Sequence, residues 1–114
     1  MEKKMRSIGN KPMNGKVRFE LIPVEPLISI AKVFTEGARV NGDRDWEKGI
    51  LWSEIYGAIL RHVTAWWNGE EADVDTGESP LAHAGTDIII LLEFIKTHPE
   101  LDDRPKKRKK KVKK

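Results

Sequence analysis

The chain contains no cysteine among its 114 residues, which excludes disulfide bonds, thiolate catalysis and thiolate metal sites. It also lacks the run of about 18 apolar residues that a membrane-spanning helix needs, and its first residues do not form the apolar segment of a signal peptide. A glycine-rich phosphate loop and a histidine–aspartate dipeptide are absent as well. We therefore expect a soluble, cytoplasmic protein with no membrane partner.

Charge is distributed very unevenly along the chain. Nine basic residues and no acid lie between Arg104 and Lys114, whereas the rest of the chain carries 12 basic and 18 acidic residues, a net charge of −6. A block of like charge repels itself, so we predict a disordered basic tail over residues 102–114. The acidic body argues against a nucleic-acid surface on the globular part, but the tail could bind nucleic acid nonspecifically.

Apolar residues are concentrated in the middle of the chain. Residues 1–15 contain few large apolar side chains and several chain breakers, which predicts a flexible N-terminal segment. The foldable body is then residues 16–101, a single helical domain. Because a body of this size buries only a modest core, we expect it to form a homo-oligomer.

Three segments of the body have apolar residues at helical spacing: residues 26–41, 51–67 and 80–97. The apolar face of the third segment is widened by Ile88, Leu92 and Ile95, so we predict that this helix is the most buried of the three. Residues 16–22 alternate apolar with charged side chains, which is typical of a short strand or an extended arm. We predict an all-α fold, a small bundle of three main helices with a short N-terminal extended arm.

Two histidines and several acids are predicted to meet at one end of the second and third helices. His62 lies five residues before the end of its helix and His83 about four residues into the next, so both lie at nearly the same level of an antiparallel pair. Asp87 is one turn further along the face of His83. The connector carries further acids, among them Glu70, Asp73 and Asp75.

Carboxylates and imidazoles in this arrangement could hold a hard divalent cation, Mg²⁺ or Mn²⁺. The predicted metal ligands are His62, Asp75, His83 and Asp87, and either Glu70 or Asp73 could serve as the catalytic base. A structural alternative stays open, since a histidine and an aspartate at i and i+4 can simply bind each other, and an acidic connector can be an ordinary solvated loop. The coincidence of these residues at one end of one hairpin favours function, because polar residues on the core face of a small domain are costly.

Basic and aromatic residues outside this set suggest a way to bind a nucleotide. Arg44, Lys48 and Arg61 could neutralise phosphates, and Trp46, in a charged loop, could stack on a purine. Trp66 lies at helical spacing and is predicted to be part of the core.

Four motifs follow one another around the connector: Arg61-His62, Ala65-Trp66-Trp67-x-Gly69-Glu70, Asp73-x-Asp75-x-Gly77 and Leu81-Ala82-His83-Ala84. Upstream stand Lys16-Val17-Arg18-x-x-Leu21-Ile22-Pro23 and Gly42-Asp43-Arg44-Asp45-Trp46. The ordered series covers about residues 11–96. It resembles a family of small phage and bacterial proteins described as the dATP/dGTP diphosphohydrolase N-terminal domain.

The resemblance implies hydrolysis of a deoxypurine nucleoside triphosphate, dATP or dGTP, to the monophosphate and pyrophosphate with Mg²⁺ or Mn²⁺. Phages use such a step to adjust nucleotide pools in the cytoplasm of the bacterial host. His62, Glu70, Asp73 and His83 fall on the matching motif positions. The alternative function is that of a non-enzymatic phage accessory protein, which binds nucleic acid or a partner through its basic tail.

Overall fold

Three α-helices make up most of the computed structural model, which describes residues 9–10 and 15–106. They are α1 (Val24–Asn41), α2 (Trp52–Trp67) and α3 (Pro80–Thr97), and short 3₁₀ turns cover Phe19–Leu21, Asp45–Lys48 and Pro99–Leu101. The described part of the chain contains no β-strand. The predicted all-α bundle of three main helices is therefore confirmed.

The helix ends follow from local chemistry and, in one case, from a distant residue. Ser79 accepts a hydrogen bond from the Leu81 N–H at 3.1 Å, and Pro80 occupies the first position of α3. The first turn of α2 has no local side-chain cap. Instead, Asp103 accepts a hydrogen bond from the Ser53 N–H at 2.9 Å, so a carboxylate from the end of the fold caps this helix.

The core lies where α3 packs against α2 and, less extensively, against α1. Its centre is Phe94, which is fully buried, with Trp52, Ile55 and Ile90 around it. Partly buried side chains from every helix, from the last two 3₁₀ turns and from the loop before α2 complete the cluster: Phe34, Trp46, Ile50, Ile59, Leu91 and Leu101. The central position of α3 explains why this helix has the largest set of buried residues.

Two predictions about the core are wrong. Ile88, Leu92 and Ile95 do not add to the buried surface of α3, because they lie on a face that neither α1 nor α2 covers. Trp66 is 41% exposed rather than part of the core. Its ring lies beside that of Trp67, with the ring centroids 6.0 Å apart, at the end of α2.

The segments that flank the helices are described only in part. The predicted arm contains the 3₁₀ turn Phe19–Leu21 and no strand, and its apolar side chains are exposed. Most of the predicted flexible segment lies outside the described residues. The predicted tail lies outside them from residue 107 onward. Contacts with the helices continue past residue 101, since the Arg104 guanidinium lies 5.0 Å from the centre of the Trp52 ring. Within the described chain, no helix combines the length and apolarity needed to cross a membrane.

The turn before α2 requires a glycine at position 49. Gly49 has a φ of +116°, and a Cβ placed there would lie 2.7 Å from Leu101 Cδ1. We expect Gly49→Ala to lower the free energy of unfolding by about 1–3 kcal/mol, because the alanine would be strained and would displace Leu101. Urea unfolding measures this change.

Gly37→Ala is the matched control. Gly37 lies inside α1, and a Cβ at this position would have nothing within 4 Å, so alanine should stabilise the protein by about 1 kcal/mol through helix propensity. Equal effects of the two substitutions would contradict the assignment of strain to Gly49.

His98 joins the end of α3 to the turn before α2. Its Nε2 lies 2.7 Å from the Glu47 carbonyl oxygen and its Nδ1 lies 2.7 Å from Glu100 Oε2. Both neighbours are acceptors, so the ring makes both hydrogen bonds only when both of its nitrogens carry a proton, as an imidazolium. The Glu100 carboxylate and the Glu47 carbonyl accordingly raise the pKa of His98.

This link should make stability depend on pH. A raised pKa in the folded state means that the contribution of His98 is complete below its ordinary pKa of about 6.5 and is lost as the pH rises through the folded value. The difference in unfolding free energy between the wild type and His98→Asn should therefore be largest in acid and shrink in alkali. Urea unfolding from about pH 5 to about pH 9 tests this, and a difference that grows with pH would contradict it.

Candidate active site

Four titratable side chains lie together where α2 and α3 approach the connector: His62, Asp73, His83 and Asp87, the His–Asp cluster. The two imidazole rings have centroids 5.0 Å apart and planes inclined by 34°. His62 Nε2 lies 3.8 Å from Asp87 Oδ2, and His83 Nε2 lies 3.8 Å from Asp73 Oδ2. The cluster is thus a row of two imidazoles with a carboxylate at each side, and it is partly open to solvent.

The connector is folded over His83 by its own hydrogen bonds. Asp73 Oδ2 accepts the N–H groups of Asp75 at 2.9 Å and Thr76 at 3.1 Å, which is an aspartate turn. Thr76 Oγ1 in turn lies 2.7 Å from His83 Nε2. We did not predict Thr76 from the sequence, although Asp73 is a residue type whose carboxylate bonds the backbone two residues further on and so forms such turns. The acidic connector is consequently an ordered turn that fixes the position of one histidine.

The two carboxyl groups of the cluster have opposite pKa shifts. Burial raises the pKa of Asp87, and the neighbouring His62 imidazole and Arg61 guanidinium offset this only in part. Burial would also raise the pKa of Asp73, but the N–H groups of Asp75 and Thr76 and the two histidines outweigh it, so its pKa is lowered. Asp73 therefore stays ionised, while Asp87 takes up a proton more readily. Carboxyl pairs whose environments separate their pKa values are typical of acid–base sites.

The predicted metal ligands do not form a closed set. Over residues 9–10 and 15–106, no group of three or more histidine, aspartate and glutamate side chains is arranged to hold a metal ion. His62 and His83 each face a different carboxylate, and Asp75 contributes its N–H to Asp73 while its side chain is exposed. The residues present therefore do not fit a resident metal ion held by the protein alone.

Two further predicted residues lie near the cluster. Arg61 precedes His62 on α2, is exposed, and is close enough for its charge to act on Asp87. Glu70 is exposed just after α2, and its N–H bonds to the Ala65 carbonyl at 3.0 Å. Arg61 can thus contact a ligand of the cluster, whereas the role of Glu70 as a base stays a prediction.

The remaining predicted substrate residues lie at the other end of the fold. Arg44 pairs with Glu47 at 3.1 Å, and Lys48 pairs with Asp45 at 2.8 Å, on the 3₁₀ turn between α1 and α2. Phe94, which this turn packs against, is seven residues beyond Asp87 on α3, about 10 Å along the helix. The structure therefore does not bring Arg44 and Lys48 to the His–Asp cluster.

Trp46 belongs to the core more than to an open stacking surface. Its ring lies 6.1 Å from that of Phe34 and 6.0 Å from that of Phe94, measured between centroids. The exposed part of Trp46 borders a cleft of about 1110 Å³ between α1 and α3, which Arg44 also lines. The loop assignment from the sequence was right, but the apolar ring folds back because α3 offers it a buried partner.

The chain is similar to one family of known proteins. A family model described as "dATP/dGTP diphosphohydrolase, N-terminal" matches residues 6–104, which include the whole His–Asp cluster. A protein of Salmonella phage PMBT28 named dATP/dGTP diphosphohydrolase is 27% identical over 96 residues, which are 84% of this chain and 33% of that protein. The chain thus spans about a third of the length of this curated relative. No solved structure matches it significantly.

Proposed function

The chain belongs to the dATP/dGTP diphosphohydrolase N-terminal family, and on that premise we propose that it hydrolyses a deoxypurine nucleoside triphosphate to the monophosphate and pyrophosphate. The His–Asp cluster is the proposed active site. The observation that carries the proposal is the row of two imidazoles between one carboxyl of raised pKa and one of lowered pKa, partly open to solvent.

In the proposed reaction, His62 acts as the general base. The Nδ1 of His62, the ring nitrogen that does not face Asp87, takes a proton from a water molecule, the water oxygen bonds to the α-phosphorus, and the bond from that phosphorus to the bridging oxygen breaks. Pyrophosphate leaves with the bonding electrons. Asp87 orients the imidazole and stabilises its protonated form, and Arg61 neutralises charge on the phosphates.

Asp73 has a different part in this proposal. Because its pKa is lowered, it is a weak base, so its part is to stay ionised and hold His83 in place. Glu70, the other base predicted from the sequence, is exposed just after the end of α2. Glu70 is therefore the alternative base if His62 only positions the water.

A divalent cation enters this scheme with the substrate. Mg²⁺ is commonly held by one or two carboxylates together with the phosphate oxygens of the substrate, so it does not need three protein ligands. The proposed substrate is accordingly the Mg²⁺ or Mn²⁺ complex of dATP or dGTP, whose metal neutralises the triphosphate. Asp73 and Asp87 are the carboxylates of the cluster that would contact it.

Incubation of the full chain with each of the four dNTPs, with Mg²⁺ or Mn²⁺, tests the proposal. Phosphorus NMR should show the monophosphate and pyrophosphate accumulating together from dATP or dGTP, without inorganic phosphate. No turnover of any nucleotide with either metal would refute the enzymatic function. That result would leave the accessory function. In that case the basic tail, whose residues from 107 onward lie outside the described part of the chain, should bind nucleic acid with an affinity that depends strongly on salt.

A further inference from the structure

An apolar stripe on α2 has no partner within the described chain. Tyr56, Leu60, Val63 and Trp67 recur at steps of four, three and four residues, so they lie on one flank of the helix. Their exposed fractions are 60%, 46%, 39% and 78%. Large apolar side chains exposed in such a row differ from the single ones that any protein surface carries.

A second stripe of the same kind lies on α3. Ile88, Leu92 and Ile95 recur at steps of four and three residues and are 46%, 60% and 58% exposed. Their spacing is that of a buried helix face, which is why the sequence predicts them to be core. In the structure they extend an apolar surface that nothing else in the described chain covers.

The two stripes lie on the same face of the α2–α3 hairpin. On each helix, the stripe residues lie about 90° around the helix axis from the residues that contact the other helix. The rotation from the contact residues to the stripe has the same sense on both helices, that in which the chain winds as residue number increases. In an antiparallel pair, displacements of the same rotational sense bring both stripes to the same side. We term this surface, formed by Tyr56, Leu60, Val63, Trp67, Ile88, Leu92 and Ile95, the hairpin face.

The centre of the hairpin face carries no charged side chain. The charged residues of α2, Glu54 and Arg61, lie on the other flank of the helix, and on α3 Asp87 and Glu93 lie away from the stripe, whereas Lys96, four residues after Leu92, lies at its edge. Depletion of charge at the centre is the compositional feature that distinguishes a protein–protein interface from ordinary surface. Lys96 alone, at the edge, offers too little charge to hold a charged partner such as nucleic acid or an acidic peptide.

The area of the hairpin face matches that of a dimer interface. Taking about 200 Å² for an exposed aromatic side chain and about 100 Å² for an aliphatic one, the exposed fractions amount to roughly 500 Å² of apolar surface. A stable interface buries about 800 Å² per partner, of which about 60% is apolar, or roughly 500 Å². One hairpin face therefore supplies what one subunit of a dimer needs.

We propose that the hairpin face binds the hairpin face of a second copy of this chain, forming a two-fold symmetric dimer. A surface that is apolar and uncharged at its centre is compatible with itself, and a two-fold axis places the same patch on both sides. The dimer does not depend on the proposed catalytic activity, because the cluster histidines point away from this face towards each other.

Charge placed at the centre of the hairpin face should separate the subunits. Leu60→Glu and Ile88→Glu each bring two carboxylates into the proposed interface, one from each subunit, and should weaken dimerisation by at least about 100-fold. Val40→Glu is the matched control, since Val40 is 63% exposed on α1 and lies off the face. Sedimentation equilibrium should give about twice the chain mass of 13.0 kDa for the wild type and the control, and the single mass for the two variants.

Circular dichroism of the variants shows whether the monomer keeps its helices. A wild-type monomer at every concentration tested, or a dimer that survives both substitutions, would overturn the proposal. The absence of cysteine allows a second test that involves no disruption. After mild oxidation, a cysteine at position 60 or 88 should link two chains and a cysteine at position 40 should not, whereas equal linking at position 40 would overturn the proposal.

Discussion

Replacing His62 by asparagine is expected to lower kcat/KM for dATP or dGTP by about 10²–10⁴-fold, which is what a positioned general base contributes. Asparagine keeps a polar side chain next to Asp87 but cannot take a proton from water. The effect should appear in kcat rather than KM, because His62 acts on the attacking water and not on the bound nucleotide. Release of pyrophosphate under steady-state conditions measures it.

Glu93→Gln is the control for this loss. Glu93 lies on the same helix as Asp87, but it is exposed and outside the His–Asp cluster, so its replacement should leave kcat/KM unchanged. Urea unfolding of both variants verifies that the loss does not come from a destabilised fold. Equal activity of His62→Asn and the wild type would remove His62 from the mechanism and favour Glu70 as the base.

Phe94→Ala is expected to cause the largest loss of stability, about 3–5 kcal/mol in the free energy of unfolding. Phe94 is fully buried, and its ring contacts both Trp46 and His98, with centroids 6.0 Å and 5.1 Å away. The substitution would leave a cavity where α3 meets the turn before α2 and the turn that follows α3 itself. For a domain of this size, such a loss approaches the whole stability of the fold.

The same substitution at position 19 provides the comparison. Phe19 is 74% exposed in the N-terminal arm, so Phe19→Ala should change the free energy of unfolding by no more than about 0.5 kcal/mol. Thermal and urea unfolding of both variants test the pair. Similar losses at positions 19 and 94 would mean that the arm packs as tightly as the core, contrary to this account.

The helices could be predicted from the sequence because their signals are local. Ser79 and Pro80 mark the start of α3 with residue types that suit the first turn, and the structure has the helix there. The proximity of His62 and His83 also follows from short-range information, since a short connector and helical rise fix their relative level. Thr76 lies in the same short range and could have been found from its aspartate turn.

The features that the sequence could not reveal depend on distant contacts. Asp103 caps α2 from 50 residues away, and nothing in its neighbourhood along the chain indicates this. Trp46 turns into the core because Phe34 and Phe94 are there to receive it. Ile88 and Leu92 have the spacing of buried residues, but a bundle of three helices has no fourth element to cover them, so only the assembled fold shows that they are exposed.

The most direct test of the proposed active site uses the three histidines of the chain, because they report on two places at once. NMR of the imidazole rings, recorded while an analogue of dGTP with a non-hydrolysable α,β bridge is added with Mg²⁺, observes each ring separately. We expect the resonances of His62 and His83 to shift as the nucleotide binds, while those of His98, at the other end of α3, stay in place. Shifts confined to His98, or none at saturating nucleotide, would contradict a nucleotide site at the His–Asp cluster.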